Sequence, residues 1–448
     1  MFRNWKEILA LALPSLIAFA TQTVTATINL VILGKLGFLI IAVVGVVNII
    51  MYNAFAIFSG IGHTVNYLVA QNDGQGNMRK GIERTYFAFY LCGIFAVVLG
   101  IVGWTLADQL LRWTGGSEEL VQAGTLYTEL RFYAMAFGII NFAFHGFLRG
   151  IGATRLSMTV SMLGNGIMVV GTYAMAYGKL GLPELGLKGA GYAIVIGEAV
   201  QLLICAYLFF FPLHRKYNTR TWARIDWREM RLIAVESGKL GVQEFSLSLA
   251  MYLFTAFVAR LGDQALAANE VALSIMSFGF MPAFAFGATA TILVGRHVGQ
   301  GNPKHARRTG TDVAILGTLF LIMLGTAELI FAEQIAHLYT NDPAVYELAA
   351  YLISISAYLQ IFDGLLNIYA GCMRGLGETT YLLRVSIICS WILFVPLAYL
   401  LVVQLDMGSM GAWLALYSYL TVFGLAVMIR FYRTDWSKIR VREAQGAM

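Results

Sequence analysis

Apolar residues gather along this chain into twelve long blocks, parted by short polar stretches. The blocks cover roughly 8–33, 40–70, 82–107, 120–149, 156–178, 186–212, 230–260, 267–299, 308–332, 344–375, 381–404 and 408–432. A helix needs about 20 residues to cross a bilayer, and every block reaches that length. The pattern predicts an all-α polytopic membrane protein with twelve transmembrane helices. Several blocks exceed the minimum, so tilt or protrusion is expected. The first block does not read as a cleavable signal peptide. It is too long, it is rich in Thr and Gln, and its continuation has a counterpart later in the chain.

That counterpart belongs to an internal repeat with one constant offset between its copies. GKLG at 34–37 falls on ARLG at 259–262, and GQGN at 74–77 on GQGN at 299–302. LRGIGATR at 148–155 falls on MRGLGETT at 373–380. Gly62 falls on Gly287 and Val69 on Val294. Three separated blocks in one ungapped register mark a duplication. The halves are residues 1–213 and 232–448, joined by a polar, basic linker at 214–231 that reads as cytoplasmic. Six spans per half is an even number, so both halves enter the membrane in the same direction. Two pseudo-symmetric six-helix bundles about an axis along the membrane normal are expected. Each GQGN reads as a tight turn, trailed by Arg79 and Lys80 in one copy and by Lys304, Arg307 and Arg308 in the other. A phosphate cradle is not supported, because no strand precedes either loop and no GxxxxGK[ST] occurs.

Composition narrows the class. Hydrophobic residues make up 58% of the 448 and charged residues 12%, against about 25% charged in a soluble domain. A soluble enzyme, a disordered chain and a secreted disulfide scaffold are excluded. Cys92, Cys205, Cys372 and Cys389 all lie in apolar runs without a CxxC pair, which argues against disulfides and zinc. Positive charge sets the sidedness. With both termini inside, 24 of the 31 Lys and Arg fall at cytoplasmic ends and loops. Lys35, Arg112, Lys179, Lys188 and Arg260 fall outside, and Arg131 and Lys239 sit within spans. The net charge of +6 is thus a topology signal, not a nucleic-acid footprint. A multi-pass protein of the inner (plasma) membrane with cytoplasmic termini is expected.

Twelve spans in two halves, the L-G turns, the paired GQGN loops and the LRGIGATR and MRGLGETT blocks together resemble the multidrug and toxic compound extrusion (MATE) family of the MOP flippase superfamily. The resemblance covers nearly the whole chain. It implies a secondary antiporter that exports organic cations or amphipathic drugs in exchange for inward Na⁺ or H⁺, by alternating access of two lobes. It implies small-molecule substrates and a lipid surround, a monomer, and no cofactor beyond the coupling ion.

A carboxylate at mid-bilayer costs roughly 2.5–3.5 kcal/mol on insertion scales, so each deep acid is a functional candidate. Glu244 lies well past Arg231, and Asp363 well before Arg374, the basic residues at the cytoplasmic ends of their spans. At 1.5 Å per residue these depths are about 20 and 16 Å, within one helical turn of each other. Asp363, in QIFDGLLN, matches an acid that binds the coupling ion in NorM-like members. Glu244, in LGVQEFSLS, stands about one turn from the corresponding Glu of that branch, which keeps it on the same helix face. Glu244 and Asp363 are therefore the candidate cation-coupling pair, and the metal ligands if the ion is Na⁺. Ser246, Tyr358 and Asn367 are candidate helpers. Archaeal and DinF-like members carry an Asp in span 1 where this chain has Asn29, which cannot titrate. The span 5 acid of that pattern is also missing, and Thr172 stands there. Asn29, Asn165 and Thr172 are expected to form a neutral polar network. Glu198, beyond Lys188 in span 6, is the deep acid of the first half and a cavity candidate, with a structural role the simpler reading.

Two other classes compete with this one. A lipid-linked oligosaccharide flippase of the same superfamily would present an Arg-rich cavity, whereas the deep charges here are acidic. An intramembrane enzyme lacks support, since no HExxH, GxSxG or Walker loop occurs. The 29 Phe, 22 Tyr, 8 Trp and 18 Met suit a promiscuous cavity, though any single one is first a packing residue. His63 and His145 read as packed or cavity-lining. Pro282 is expected to kink span 8, and Pro14 to mark the start of span 1.

Overall fold

The computed structural model describes residues 4–114, 116–221, 224–339 and 343–443, so Trp222 and Ala223 of the linker lie outside the described residues. The described chain is helical, with no strand among the described residues. Twelve long helices carry the described part: α1 (Trp5–Gly34), α2 (Phe38–Gly74), α3 (Met78–Trp113), α4 (Glu118–Gly150), α5 (Thr154–Tyr177), α6 (Leu187–Phe210), α7 (Trp227–Ala259), α8 (Asp263–Gly299), α9 (Pro303–Ile330), α10 (Pro343–Leu376), α11 (Thr379–Gln404) and α12 (Gly408–Arg433). Each apolar block coincides with one of these helices to within a couple of residues or lies inside it. Most helices extend further than their blocks because polar residues at their ends continue the backbone ladder. Eleven of the twelve are long and apolar enough to cross a membrane. The exception is α4, whose apolar stretch is broken by Asn141, His145 and Arg149.

Two local features depart from the sequence reading. Pro14 lies well inside α1, so it does not mark that helix's start. Pro282, where a kink is expected, lies inside α8. Helix α11 is wound in π form over Cys389–Phe394 and again over Leu400–Gln404. Pro396 stands between these segments without an N–H to donate, and its ring crowds the preceding turn, which favours a widened helix there.

The duplication is visible in matched contacts. A Cβ on Gly62 would lie 3.0 Å from the Phe142 carbonyl oxygen, and one on Gly287 would lie 2.7 Å from that of Asn367. Likewise Gly150 abuts the Asn66 carbonyl and Gly375 that of Thr291, each at 3.0 Å. Every partner is displaced by the offset that separates the two GQGN loops. These helices approach backbone to backbone, as membrane helices with small residues at their contacts do. The GQGN turns match too. Gly76 and Gly301 have φ of +73° and +68°. The Asn77 and Asn302 side chains cap the following helices by accepting from Lys80 N–H at 3.3 Å and His305 N–H at 3.1 Å. These loops are capping turns.

The chain divides into two compact units. One comprises Ile17–Asp73 and Asn77–Gly241; the other comprises Val242–Arg442, Gly74–Gly76 and the residues through Leu16. The opening turns of α7 thus belong to the unit built mainly from the first half. Within the polar stretch 214–231, Pro212–Tyr217 runs on as a short helix and α7 already begins at Trp227. Ion pairs hold that end of α7 in its unit. Arg84, buried in α3, donates to Glu229 Oε2 at 2.9 Å and to Asn72 Oδ1 at 3.2 Å. Glu236 is fully buried and accepts from Tyr67 Oη at 3.0 Å and Lys239 Nζ at 2.9 Å. Removing one partner of a buried pair strands the other. Arg84→Met should therefore destabilise the protein by about 3 kcal/mol, the low end for such pairs because Lys80 remains 3.4 Å from Glu229. Thermal melting in detergent reads this. The double variant Arg84→Met/Glu229→Leu should recover most of the loss, and equal melting of single and double variants would refute the pairing argument.

Candidate functional site

The acids predicted from sequence can be placed helix by helix. Asp363 sits in the second half of α10, and its helix face repeats at Asn367, Ala370 and Arg374. That face lines a cavity inside the second-half unit, together with Gln243, Glu244 and Leu247 of α7. Phe280 and Phe284 of α8, Ser386 of α11, and Tyr419 and Phe423 of α12 are also on the wall. The cavity has a volume of about 30 Å³. Glu244 and Asp363, far apart in sequence and on different helices, thus line one chamber.

Its polar groups are sparingly paired. Asp363 is 2% exposed, and its Oδ1 accepts from Asn367 Nδ2 at 3.0 Å. The same amide reaches the Asp363 main-chain oxygen, also at 3.0 Å. The Gln243 Oε1 and Arg374 Nε atoms are buried without a hydrogen-bond partner. Arg374 acts electrostatically on Glu244, and Glu244 on Asp363. The chamber therefore holds two carboxyl groups against one guanidinium. Four aromatic rings, from Phe280, Phe284, Tyr419 and Phe423, supply faces that attract a cation.

Ser246 and Tyr358 are not among the lining residues. The Ser246 hydroxyl accepts from Trp391 Nε1 at 2.9 Å, and Tyr358 is 44% exposed. Asn367, by contrast, is on the wall and bonded to Asp363. In the first-half unit, Glu198 accepts a hydrogen bond from Asn141 Nδ2 at 2.8 Å. The expected hydrogen-bonded network of Asn29, Asn165 and Thr172 is not formed. Asn29 Oδ1 and Thr172 Oγ1 are both buried without hydrogen-bond partners. His145 is packed, its Nδ1 2.7 Å from Ser157 Oγ.

Arg374 is a site residue that the sequence reading does not find. In sequence it counts as a cation at the end of its span, yet it is 3% exposed and lines the chamber. A signal is available: the spacing 363, 367, 370 and 374 is one helical face. Gln243 and the ring cluster carry no comparable signal, since Phe in particular is common throughout the spans.

Comparisons with known proteins agree with this architecture. The chain is 26% identical over 441 residues to a Thermotoga maritima protein named "Probable multidrug resistance protein NorM", covering 97% of this chain and 93% of that one. It is 28% identical over 452 residues to "Multidrug resistance protein PmpM" of Pseudomonas aeruginosa, covering 98% and 93%. Among solved structures, one described as MATE in the bent conformation superposes with a TM-score of 0.86 at 20% identity, covering 96% of this chain and 95% of that one. The eukaryotic MATE transporter AtDTX14 gives a TM-score of 0.85 at 20% identity, covering 97% of each chain. At such identities the structural likeness speaks for the fold. The MatE family model matches residues 14–174 and again 240–400, once in each half. With both halves matched, this chain belongs to the MatE family of transporters.

Proposed function

We propose that the chain is a secondary multidrug antiporter that exports organic cations or amphipathic drugs in exchange for inward Na⁺ or H⁺. Glu244 and Asp363 are its coupling pair. The observation that carries this reading is the charge count of the second-half chamber. Two carboxyl groups face one arginine there, so full ionisation leaves one negative charge in a medium that penalises it. One proton or one monovalent cation brings the chamber to neutrality. An organic cation competes for the same charge, and the surrounding rings favour it. Coupling then needs no contact between drug and ion, because each stabilises a different arrangement of the protein. The names of the NorM and PmpM relatives support the substrate class.

Sidedness follows the positive charge. The 24-to-5 division of Lys and Arg supports a cytoplasmic position for both termini and for the 214–231 segment. Arg220 is exposed, so a single cysteine introduced there (Arg220→Cys) should react with a membrane-impermeant maleimide only after the cells are opened. Labelling of that cysteine in intact cells would reverse the topology. The coupling proposal is tested by dye efflux from everted vesicles with an imposed ion gradient. Wild type is compared with Asp363→Asn and Glu244→Gln, at fixed pH with and without Na⁺.

A further inference from the structure

Gly138 is the first-half counterpart of Asp363, in the register fixed by LRGIGATR and MRGLGETT. The Gly62–Phe142 and Gly287–Asn367 contacts hold the same register in space. Gly138 has no side chain, so the first-half unit should lack a counterpart to the Asp363 carboxyl. The space beside Gly138 nonetheless holds one. A Cβ built on Gly138 would lie 3.5 Å from Glu198 Oε2 and 3.9 Å from Oε1. The carboxyl enters from α6 instead of α4. Its partner is matched as well. Asn141 Nδ2 donates to Glu198 Oε2 at 2.8 Å and to the Glu198 main-chain oxygen at 3.1 Å. Asn141 sits on α4 and Asn367 on α10, and they differ by a single position in the repeat register. Each half therefore places an asparagine amide, carried by one of two repeat-related helices, on a carboxyl within a membrane span: Asp363 buried, Glu198 partly buried.

A second observation shows what this site lacks. Asn141 is 3% exposed, and its Oδ1 is buried with no hydrogen-bond partner. An ionised carboxylate only accepts hydrogen bonds, and Asn141 Nδ2 satisfies it. A protonated carboxyl carries an O–H that needs an acceptor. The unpartnered oxygen is on the same amide, so rotation of one terminal torsion serves either state. An idle buried oxygen is unfavourable, and protonation of the neighbouring carboxyl would give this one a partner.

We propose that Glu198 is a proton-binding site of the first-half unit, with Asn141 as the positioning residue that accommodates both its charge states. The step is a simple uptake: a carboxylate and one proton from water give a carboxylic acid, and the local charge changes from −1 to 0. No other reactant is required. The charged and titratable groups that act on Glu198 are Arg131 on α4 and the Cys205 thiol on α6. Arg131 is itself held by Asn48 Oδ1 and Tyr127 Oη, each at 2.9 Å. Asn29 does not take part, because it carries no exchangeable carboxyl proton.

The test is difference infrared spectroscopy of the purified full-length chain, titrated over roughly pH 5–9, the range in which buried carboxyls change state. Wild type should show a carboxylic-acid carbonyl band that vanishes as pH rises. Glu198→Gln, which keeps the side-chain shape, should lose that band while eluting as a monodisperse folded protein. Asn141→Ala should keep the band but move its midpoint by about one pH unit, the effect of one hydrogen bond to a charged group. That second variant also decides the matter if Glu198→Gln fails to fold. A titrating spectrum unchanged in Glu198→Gln, or a midpoint unmoved in Asn141→Ala, overturns the proposal. So does loss of the band on adding Na⁺ at constant pH, which would make this a Na⁺ site. The inference stands apart from the coupling role of Glu244 and Asp363. The Glu198 band persists in Asp363→Asn whether or not that variant still drives efflux.

Discussion

Asp363→Asn should reduce ion-driven efflux from everted vesicles to the level of vesicles without the protein, while the variant accumulates in the membrane as wild type does. The amide has the shape of the carboxyl, and its position beside Asn367 is retained, so packing around α10 is undisturbed. What is lost is one of the two acidic groups that line the chamber with Arg374. With Asn at 363, Glu244 and Arg374 balance each other, and the chamber no longer requires a proton or a cation for neutrality. Driving force is then disconnected from substrate movement. Stability should stay level or rise, because removing a buried ionisable group from a low-dielectric site relieves desolvation. Glu244→Gln should abolish coupling in the same way or change its pH dependence. Asn29→Ala should retain substantial transport, since that side chain handles no proton. Full activity in Asp363→Asn combined with loss in Asn29→Ala would relocate the coupling site to the first half.

A large stability effect is expected at Gly371, where α8 and α10 touch backbone to backbone. A Cβ on Gly371 would press into the Gly287 carbonyl group and lie 3.0 Å from the Gly287 Cα. The contact is sealed by Thr291, whose hydroxyl lies 3.0 Å from both the Gly287 and Gly371 carbonyl oxygens. Neither backbone can give way without moving a long helix. Gly371→Val should therefore destabilise by about 3 kcal/mol, the upper part of the usual overpacking range, and low yield of folded protein is the expected outcome. Gly146, its repeat counterpart, meets the Gly62 carbonyl oxygen at 2.6 Å and should behave alike. Gly93 in α3 provides the control, because nothing lies within 4 Å of its would-be Cβ. Gly93→Ala should hold or raise the melting point, given that alanine favours a helix over glycine by about 1 kcal/mol. Equal melting of Gly371→Val and wild type would show that the helix contact is looser than its geometry indicates.

The two acidic sites also show how a repeat can drift while its chemistry persists. The RG blocks kept their register, and the backbone contacts kept theirs. The carboxyl is carried by α10 in one half and by α6 in the other, beside the glycine at the position equivalent to Asp363. A reading that aligns residues one to one finds an acid opposite a glycine and scores the pair as unlike. Within each unit, however, the carboxyl occupies corresponding ground.

The helices, their number and the duplication are all legible in the order of residues along the chain. A bilayer demands long apolar runs with internally satisfied backbones, and a run of that kind is local information, readable block by block. The capping turns at GQGN were equally local, a glycine that permits positive φ and an asparagine that caps. The depths of Glu244 and Asp363 could be counted from the ends of their spans, because a helix rises by a fixed amount per residue. Tertiary structure alone decided which faces meet. The rotation of each helix about its own axis is set by packing against helices that are remote in sequence, and it put Ser246 under Trp391 and left Tyr358 off the chamber wall. It buried Arg374 beside the acids instead of leaving it at a membrane surface. It left Asn29 and Thr172 without partners, and it brought Glu198 to Gly138. Each of these outcomes depends on side chains that approach within a few ångströms across different helices, and no periodicity within one helix encodes that approach.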